Sequence, residues 1–135
     1  MLTDTGPLVA IMDEGEPHHS ACVSVIRSLP PGPLQTTWPC FTEAMYLLDS
    51  FGGYRLQSRL WRARNEGKLL LLDLTSAEAD RMNILMAKYV NVPMDLADAS
   101  LVALAESRSI RRLFTIYSDF YIYRLADGSV LEVVR

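Results

Sequence analysis

Four consecutive leucines, Leu69 to Leu72, stand between two stretches of helical period, and this alternation limits the folds open to the chain more than any other feature. A continuous apolar run of strand length is what a β-strand shows when both of its faces are covered, as in a parallel sheet with helices packed on either side. Upstream, Tyr54 to Asn65 puts Leu56, Leu60 and Trp61 on one side of a helix and Arg55, Arg59 and Arg62 on another, and Gly67 ends it. Downstream, Thr75-Ser76-Ala77-Glu78 is a capping box that opens a helix to about Tyr89.

The same alternation continues on both sides. Met1 to Thr3 reads as a short strand, and Asp4-Thr5-Gly6-Pro7 as a loop leading to the apolar turn Leu8 to Met12. A helix is expected over His18 to Leu29, stopped by Pro30-Pro31-Gly32-Pro33. Another begins near Trp38-Pro39, with proline in the first turn, and ends before Gly52-Gly53. Pro93 precedes a helix over Asp95 to Ser107, and Leu113 to Ile116 and Val130 to Val134 read as strands. The expected architecture is α/β: one domain over residues 1–135, with an open, mostly parallel sheet of four to five strands and helices on both faces.

Half of the 135 residues are hydrophobic, enough for a core without disulfide or zinc support. Cys22 and Cys40 are isolated and match no zinc spacing, and the chain opens on charged Asp4 rather than a basic and then apolar leader, so a soluble protein of a reducing, cytoplasmic compartment is expected. No apolar run approaches the ~18 residues needed to span a bilayer. The net charge of −3 argues against a protein that coats nucleic acid by electrostatics alone. It leaves room for a nuclease, because a bound divalent cation reverses the sign of an acidic site.

Asp4, Glu43, Asp98 and Asp119 lie far apart in the chain, each where a sheet element is expected to meet a loop or helix start. In doubly wound folds ligands bind beyond the carboxyl ends of the strands, and a hard cation such as Mg²⁺ or Mn²⁺ takes a few carboxylates plus water. Taken singly, Asp4 also reads as an Asx-turn residue, Glu43 as a solvated helix residue, and Asp95 and Asp119 as helix caps. Asp98 is harder to explain that way, since it interrupts an apolar helix where an unpaired charge is costly. Asp95, three residues earlier, shares its helix face. Adjacent His18 and His19 cannot both face one metal from a helix and read as surface or helix-start residues. The arginines Arg55, Arg59, Arg62 and Arg64 with Lys68, and separately Arg108, Arg111 and Arg112, are the possible phosphate contacts, although solvated helix faces look the same.

In this order and spacing, three segments together with Thr115-Ile116-Tyr117-Ser118-Asp119-Phe120 resemble the PIN-domain family, and within it the VapC-type toxin ribonucleases of toxin–antitoxin pairs. They are Asp4-Thr5-Gly6-Pro7-Leu8-Val9-Ala10, Thr42-Glu43 followed by Leu47-Leu48, and Asp95-Leu96-Ala97-Asp98-Ala99-Ser100-Leu101. The resemblance implies a PIN-like fold and a metal-dependent endoribonuclease using Mg²⁺ or Mn²⁺. Asp4, Glu43 and Asp98 would be the main acids and Asp95 and Asp119 the auxiliary ones. Candidate substrate contacts are Thr5, Thr115, Ser118, Arg55, Arg59 and Arg62. It also implies an RNA substrate, a small antitoxin partner and a homodimer, with Tyr46, Trp61, Tyr121 and Tyr123 available to cover an interface or the core. One position departs from the family pattern: Tyr117 stands where an acid is usual, and a neutral phenol does not replace a carboxylate. A PIN-like module that binds RNA or a protein without cutting is therefore the alternative. A phospho-receiver domain fits poorly, since Asp4 has no acidic companion two residues on and the last lysine is Lys88.

Overall fold

In the computed structural model, which describes all 135 residues, five strands form one sheet. They are Leu2–Thr3 (β1), Leu34–Thr37 (β2), Leu69–Leu72 (β3), Arg112–Phe114 (β4) and Glu132–Val134 (β5), in the order β3-β2-β1-β4-β5 with every pairing parallel. Six helices connect them: Thr5–Met12 (α1), His19–Ser28 (α2), Trp38–Gly52 (α3), Tyr54–Asn65 (α4), Ser76–Lys88 (α5) and Leu96–Arg108 (α6). The chain starts on the central strand, builds outward through β2 and β3, then returns to the other side of β1 for β4 and β5. Doubly wound folds bind ligands in a crevice beyond the carboxyl ends of the strands at such a reversal, and here that place falls at the ends of β1, β2 and β4.

Three local expectations are corrected. The segment Asp4 to Pro7 is not a loop: Asp4 caps α1, with φ −78° and ψ 167°, and Pro7 sits in the first turn, where its missing N–H has no partner to lose. Thr5 to Ala10 are all buried, so this helix carries no polar face from which a helical period can be read. Strand β2 was not anticipated, because Leu34-Gln35-Thr36-Thr37 is neither apolar nor alternating. It is held by its hydroxyls: Thr36 Oγ1 donates to the Thr3 carbonyl at 2.7 Å, and Thr37 Oγ1 bonds Ser100 Oγ at 2.7 Å. The leucine run β3 lies at the edge of the sheet rather than enclosed on both faces, and Leu70 is 40% exposed.

Helix α6 is the central packing element. Eight of its thirteen residues are buried, among them Ala97, Ala99, Ala103 and Ala105, whose small side chains let neighbouring helices approach closely. Leu101 and Leu104 are fully buried in a core cluster of 26 residues that also takes in Leu2, Leu8, Phe41, Leu60, Leu85 and Leu113. The helix starts on a reciprocal capping box: Asp98 N–H donates to Asp95 Oδ1 at 2.8 Å and Asp95 N–H to Asp98 Oδ2 at 3.3 Å. It ends on Ser109 in the left-handed region, at φ 55°. The capping reading of Asp95 is thus correct, and the expectation that Asp98 resists such a reading is corrected, because its carboxylate is the other half of the same box.

Candidate functional site

Asp4 follows the central strand directly and is 2% exposed. Each carboxylate oxygen accepts one hydrogen bond, Oδ1 from the Thr5 N–H at 2.7 Å and Oδ2 from the Thr115 hydroxyl at 2.8 Å. Thr115 follows β4, the parallel neighbour of β1, and its hydroxyl oxygen also accepts from the Tyr117 N–H at 3.1 Å. One threonine therefore ties the first acid to the segment that carries Tyr117, Ser118 and Asp119. Each Asp4 oxygen keeps capacity for a further partner.

The second and third acids arrive on helices. Thr37, at the end of β2, caps α3 by accepting the Cys40 N–H at 3.4 Å, which sets Glu43 in the second turn, half-buried. Helix α6 is locked against this start by the Thr37–Ser100 hydroxyl pair and by Cys40 Sγ, 3.8 Å from the Ala97 carbonyl. Asp98 lies in its first turn, half-buried, and Tyr123 completes the placement. The Tyr123 hydroxyl is 2.8 Å from the Pro93 carbonyl and 3.3 Å from Asp98 Oδ2, so the phenol proton bridges the loop before α6 and the acid on it. Asp119 is exposed in a 3₁₀ turn, Ser118–Tyr121, just beyond β4.

Electrostatics shows that these groups share one region. Burial raises the Asp4 pKa from 3.8 to about 6 against its two hydrogen bonds, with Asp95 and Asp119 adding to the rise. Burial, then Asp95 and Asp4, push Asp98 well above the ordinary carboxylate range. Burial, then the same two aspartates, raise Glu43. Tyr117 is raised by burial and then by Asp4 and Glu43. The charged neighbours that act most strongly on Asp4, Glu43 and Asp98 are all carboxylates. No cation is among the groups that act most strongly on these three acids.

The donors are hard oxygens throughout, but no three His, Cys, Asp or Glu side chains close around a common point. A cluster of separated carboxylates suits a small divalent ion that keeps several waters, and not one that needs a full protein cage. On that chemistry the residues fit Mg²⁺ or Mn²⁺.

Other candidates lie elsewhere or are engaged otherwise. Thr5 is buried beside Asp4, its hydroxyl 3.5 Å from the Cys40 carbonyl. Arg59 donates to the carbonyl of Met12 at 3.0 Å and stands 3.9 Å from Glu14. Met12 ends the eight-residue α1, about 12 Å along the helix from the acid that starts it, so this guanidinium braces the opposite end. Arg55 and Arg62 are exposed on the same α4, and none of the three is among the charges acting most strongly on the acids. Arg108, Arg111 and Arg112 are engaged within the chain by Glu78, Asp127 and Glu132, respectively. His19 starts α2, with Nδ1 2.6 Å from the Ala10 carbonyl. Sequence reasoning did not single out Thr37 and Ser100. It left Tyr123 between core and interface, and Tyr123 is core: 2% exposed, with Phe120 and Tyr89 edge-on to its ring.

The family model of the PIN domain matches residues 1–127. The chain belongs to the PIN-domain family. Among solved structures, it is similar to VapC20 of Mycobacterium tuberculosis, described as a sarcin–ricin loop cleaving toxin. The TM-score is 0.82 at 18% identity, over 90% of this chain and 92% of that one. A toxin–antitoxin complex from Klebsiella pneumoniae gives TM-score 0.66 at 20% identity over 99% and 95% of the two chains. VapBC2 of Rickettsia felis, bound to a DNA fragment from its promoter, gives 0.67 at 12% over 98% and 96%. At these identities the likeness is one of fold. No curated protein matches the sequence.

Proposed function

We propose that this PIN domain is a metal-dependent endoribonuclease and the toxin of a toxin–antitoxin pair. The reading is supported by Asp4, Glu43 and Asp98 each being raised, after burial, by aspartates that include ones from other segments, with no cation among the groups acting most strongly on them. Holding carboxylates together in a half-buried place costs stability, and a bound cation offsets that cost. Asp4 and Asp98 would hold Mg²⁺ or Mn²⁺, with Asp95 and Asp119 assisting through water. When bound, the cation lowers the pKa of water and neutralises charge that develops on the phosphate and the leaving oxygen.

The chain's own groups do the rest. Glu43, made more basic by burial and by its acidic neighbours, orients a water and takes its proton as the water oxygen attacks phosphorus, and the bond from phosphorus to the leaving oxygen breaks, that oxygen taking a proton from solvent. Thr115 and Thr5 keep the Asp4 carboxylate aimed, and Tyr123 keeps Asp98 in place. RNA as the substrate class is supported by the likeness to a toxin named for cleaving the sarcin–ricin loop, and an antitoxin partner by the likeness to two toxin–antitoxin structures. A homodimer in the cytoplasm completes the reading. No helix is long and apolar enough to cross a membrane.

The test is cleavage of a labelled mixed RNA by purified protein with Mg²⁺ or Mn²⁺, beside an EDTA control and Asp98→Asn. Cleavage lost in both controls supports the nuclease; none by well-folded protein free of antitoxin favours a module that binds without cutting. Tyr117 is the one observation on the side of that second reading, and Tyr117→Asp is the variant that distinguishes a weakened site from a retired one.

A further inference from the structure

We propose that Tyr117 is a nucleobase-stacking platform, so that this site grips the substrate by a base beside the scissile phosphate where the usual pattern has a carboxylate. The inference rests on the nuclease reading and names how that site takes hold of its substrate. Tyr117 immediately precedes the 3₁₀ turn beyond β4 and has extended backbone, φ −101° and ψ 143°. Its N–H is fixed to Thr115 Oγ1, the hydroxyl that also holds Asp4, so the residue is anchored to the acid at the centre of the crevice.

One edge of the ring lies against Gly6, and about half of the residue is open to solvent. A Cβ on Gly6 would stand 3.0 Å from Tyr117 Cε2 and 2.8 Å from Ile116 Cγ1, so the bare backbone at the start of α1 is the surface against which this segment packs. Yet the residue remains 47% exposed. Its hydroxyl makes no hydrogen bond within the chain, so polar bonding is not what holds the ring there. The bond of its N–H to Thr115, whose hydroxyl holds Asp4, sets the residue beside that acid, and burial and then Asp4, Glu43, Glu16 and Asp98 raise its phenol.

A half-exposed aromatic ring beside a phosphate site is what single-stranded nucleic acids stack upon, whatever the base, because every base has a π-face. The ring also supplies an attraction that the crevice otherwise lacks. The acids repel the backbone, and Arg59 is bonded at the opposite end of α1. A carboxylate at position 117 would add to the repulsion instead.

The test uses the full chain in a cleavage-disabled Asp98→Asn background with Mg²⁺, and short oligoribonucleotides carrying one 2-aminopurine at successive positions. Anisotropy reads affinity, and quenching of 2-aminopurine reads stacking. The expected result is strong quenching at one position only, lost in Tyr117→Ala and kept in Tyr117→Phe and Tyr117→Trp, with affinity falling roughly 5- to 150-fold in the alanine variant alone. Binding with no position-specific quenching, or with Tyr117→Ala as tight as the parent, overturns the stacking role and leaves the nuclease reading standing. Loss in Tyr117→Phe equal to that in Tyr117→Ala overturns it in favour of the hydroxyl. No RNA binding or cleavage by the wild-type chain removes the nuclease reading and the proposal with it.

Discussion

The Thr115 hydroxyl donates to Asp4 Oδ2 at 2.8 Å across 111 residues of sequence, and it is the one side-chain bond that the buried acid receives. Both residues are at most 2% exposed, so the bond is made away from water, where a charged acceptor gains most. Thr115→Val keeps the shape and removes the donor. Cleavage is expected to fall roughly 10- to 100-fold, as for groups that orient a metal ligand, while Thr115→Ser retains most of it. Rates at saturating Mg²⁺ and the Mg²⁺ concentration for half-activity, measured for both variants, check this.

Stability should depend on pH in an unusual direction. The Asp4 pKa is raised from 3.8 to about 6, so the folded chain holds this proton more tightly than the unfolded one. Its contribution is fully favourable below about 4 and is lost as pH rises through 6, a change of roughly 3 kcal/mol from this residue. Metal-free protein in EDTA should therefore melt lower at pH 7 than at pH 5, and Mg²⁺ or Mn²⁺ should restore most of the loss at pH 7. A cation-independent Tm that rises steadily from pH 5 to 7 would contradict both the burial cost and its relief.

Gly6→Ala should damage the site from behind. Its Cβ would overlap Ile116 and Tyr117, which must move outward, and overpacking of this kind costs about 1–3 kcal/mol. The movement carries Thr115 with it, so cleavage is expected to fall by more than the loss of stability explains. Thermal melts and steady-state rates on the same preparation separate the two effects.

Glu78 offers the opposite case, a stability change that should spare the chemistry. It is 4% exposed, accepts the Thr75 N–H in the capping box of α5, and pairs with Arg108 at 3.0 Å and with Ser107 near the end of α6. These contacts hold its pKa down to about 2, against the effect of burial. Glu78→Ala should cost roughly 3 kcal/mol, the low end for breaking a buried pair because Arg108 keeps a third of its side chain in solvent. Denaturant unfolding should show the loss, with kcat on the remaining folded protein unchanged.

The helices with a polar face were legible to within a residue or two, because Leu56, Leu60 and Trp61 against Arg55, Arg59 and Arg62 state their period openly. Helix α1 was not, since a segment buried on all sides has no face to contrast, and neither was β2, whose identity lies in two hydroxyl bonds to distant residues. The placement of β3 at the edge was hidden as well: Leu69 to Leu72 announces a strand but says nothing of who its neighbours are. The acids were visible by residue type and position. What aims them, Thr115 on Asp4 and Tyr123 on Asp98, depends on tertiary contacts 111 and 25 residues apart, which no local pattern encodes.

Within this sequence β1 is translated well before its sheet partner β4 and Thr115 behind it. Domains fold as units once their chain is available. A nascent chain therefore carries Asp4 without the hydroxyl that aims it, and α3 without the α6 that closes the crevice. The pairing that brings β4 onto β1 is therefore also the one that brings the Thr115 hydroxyl to Asp4.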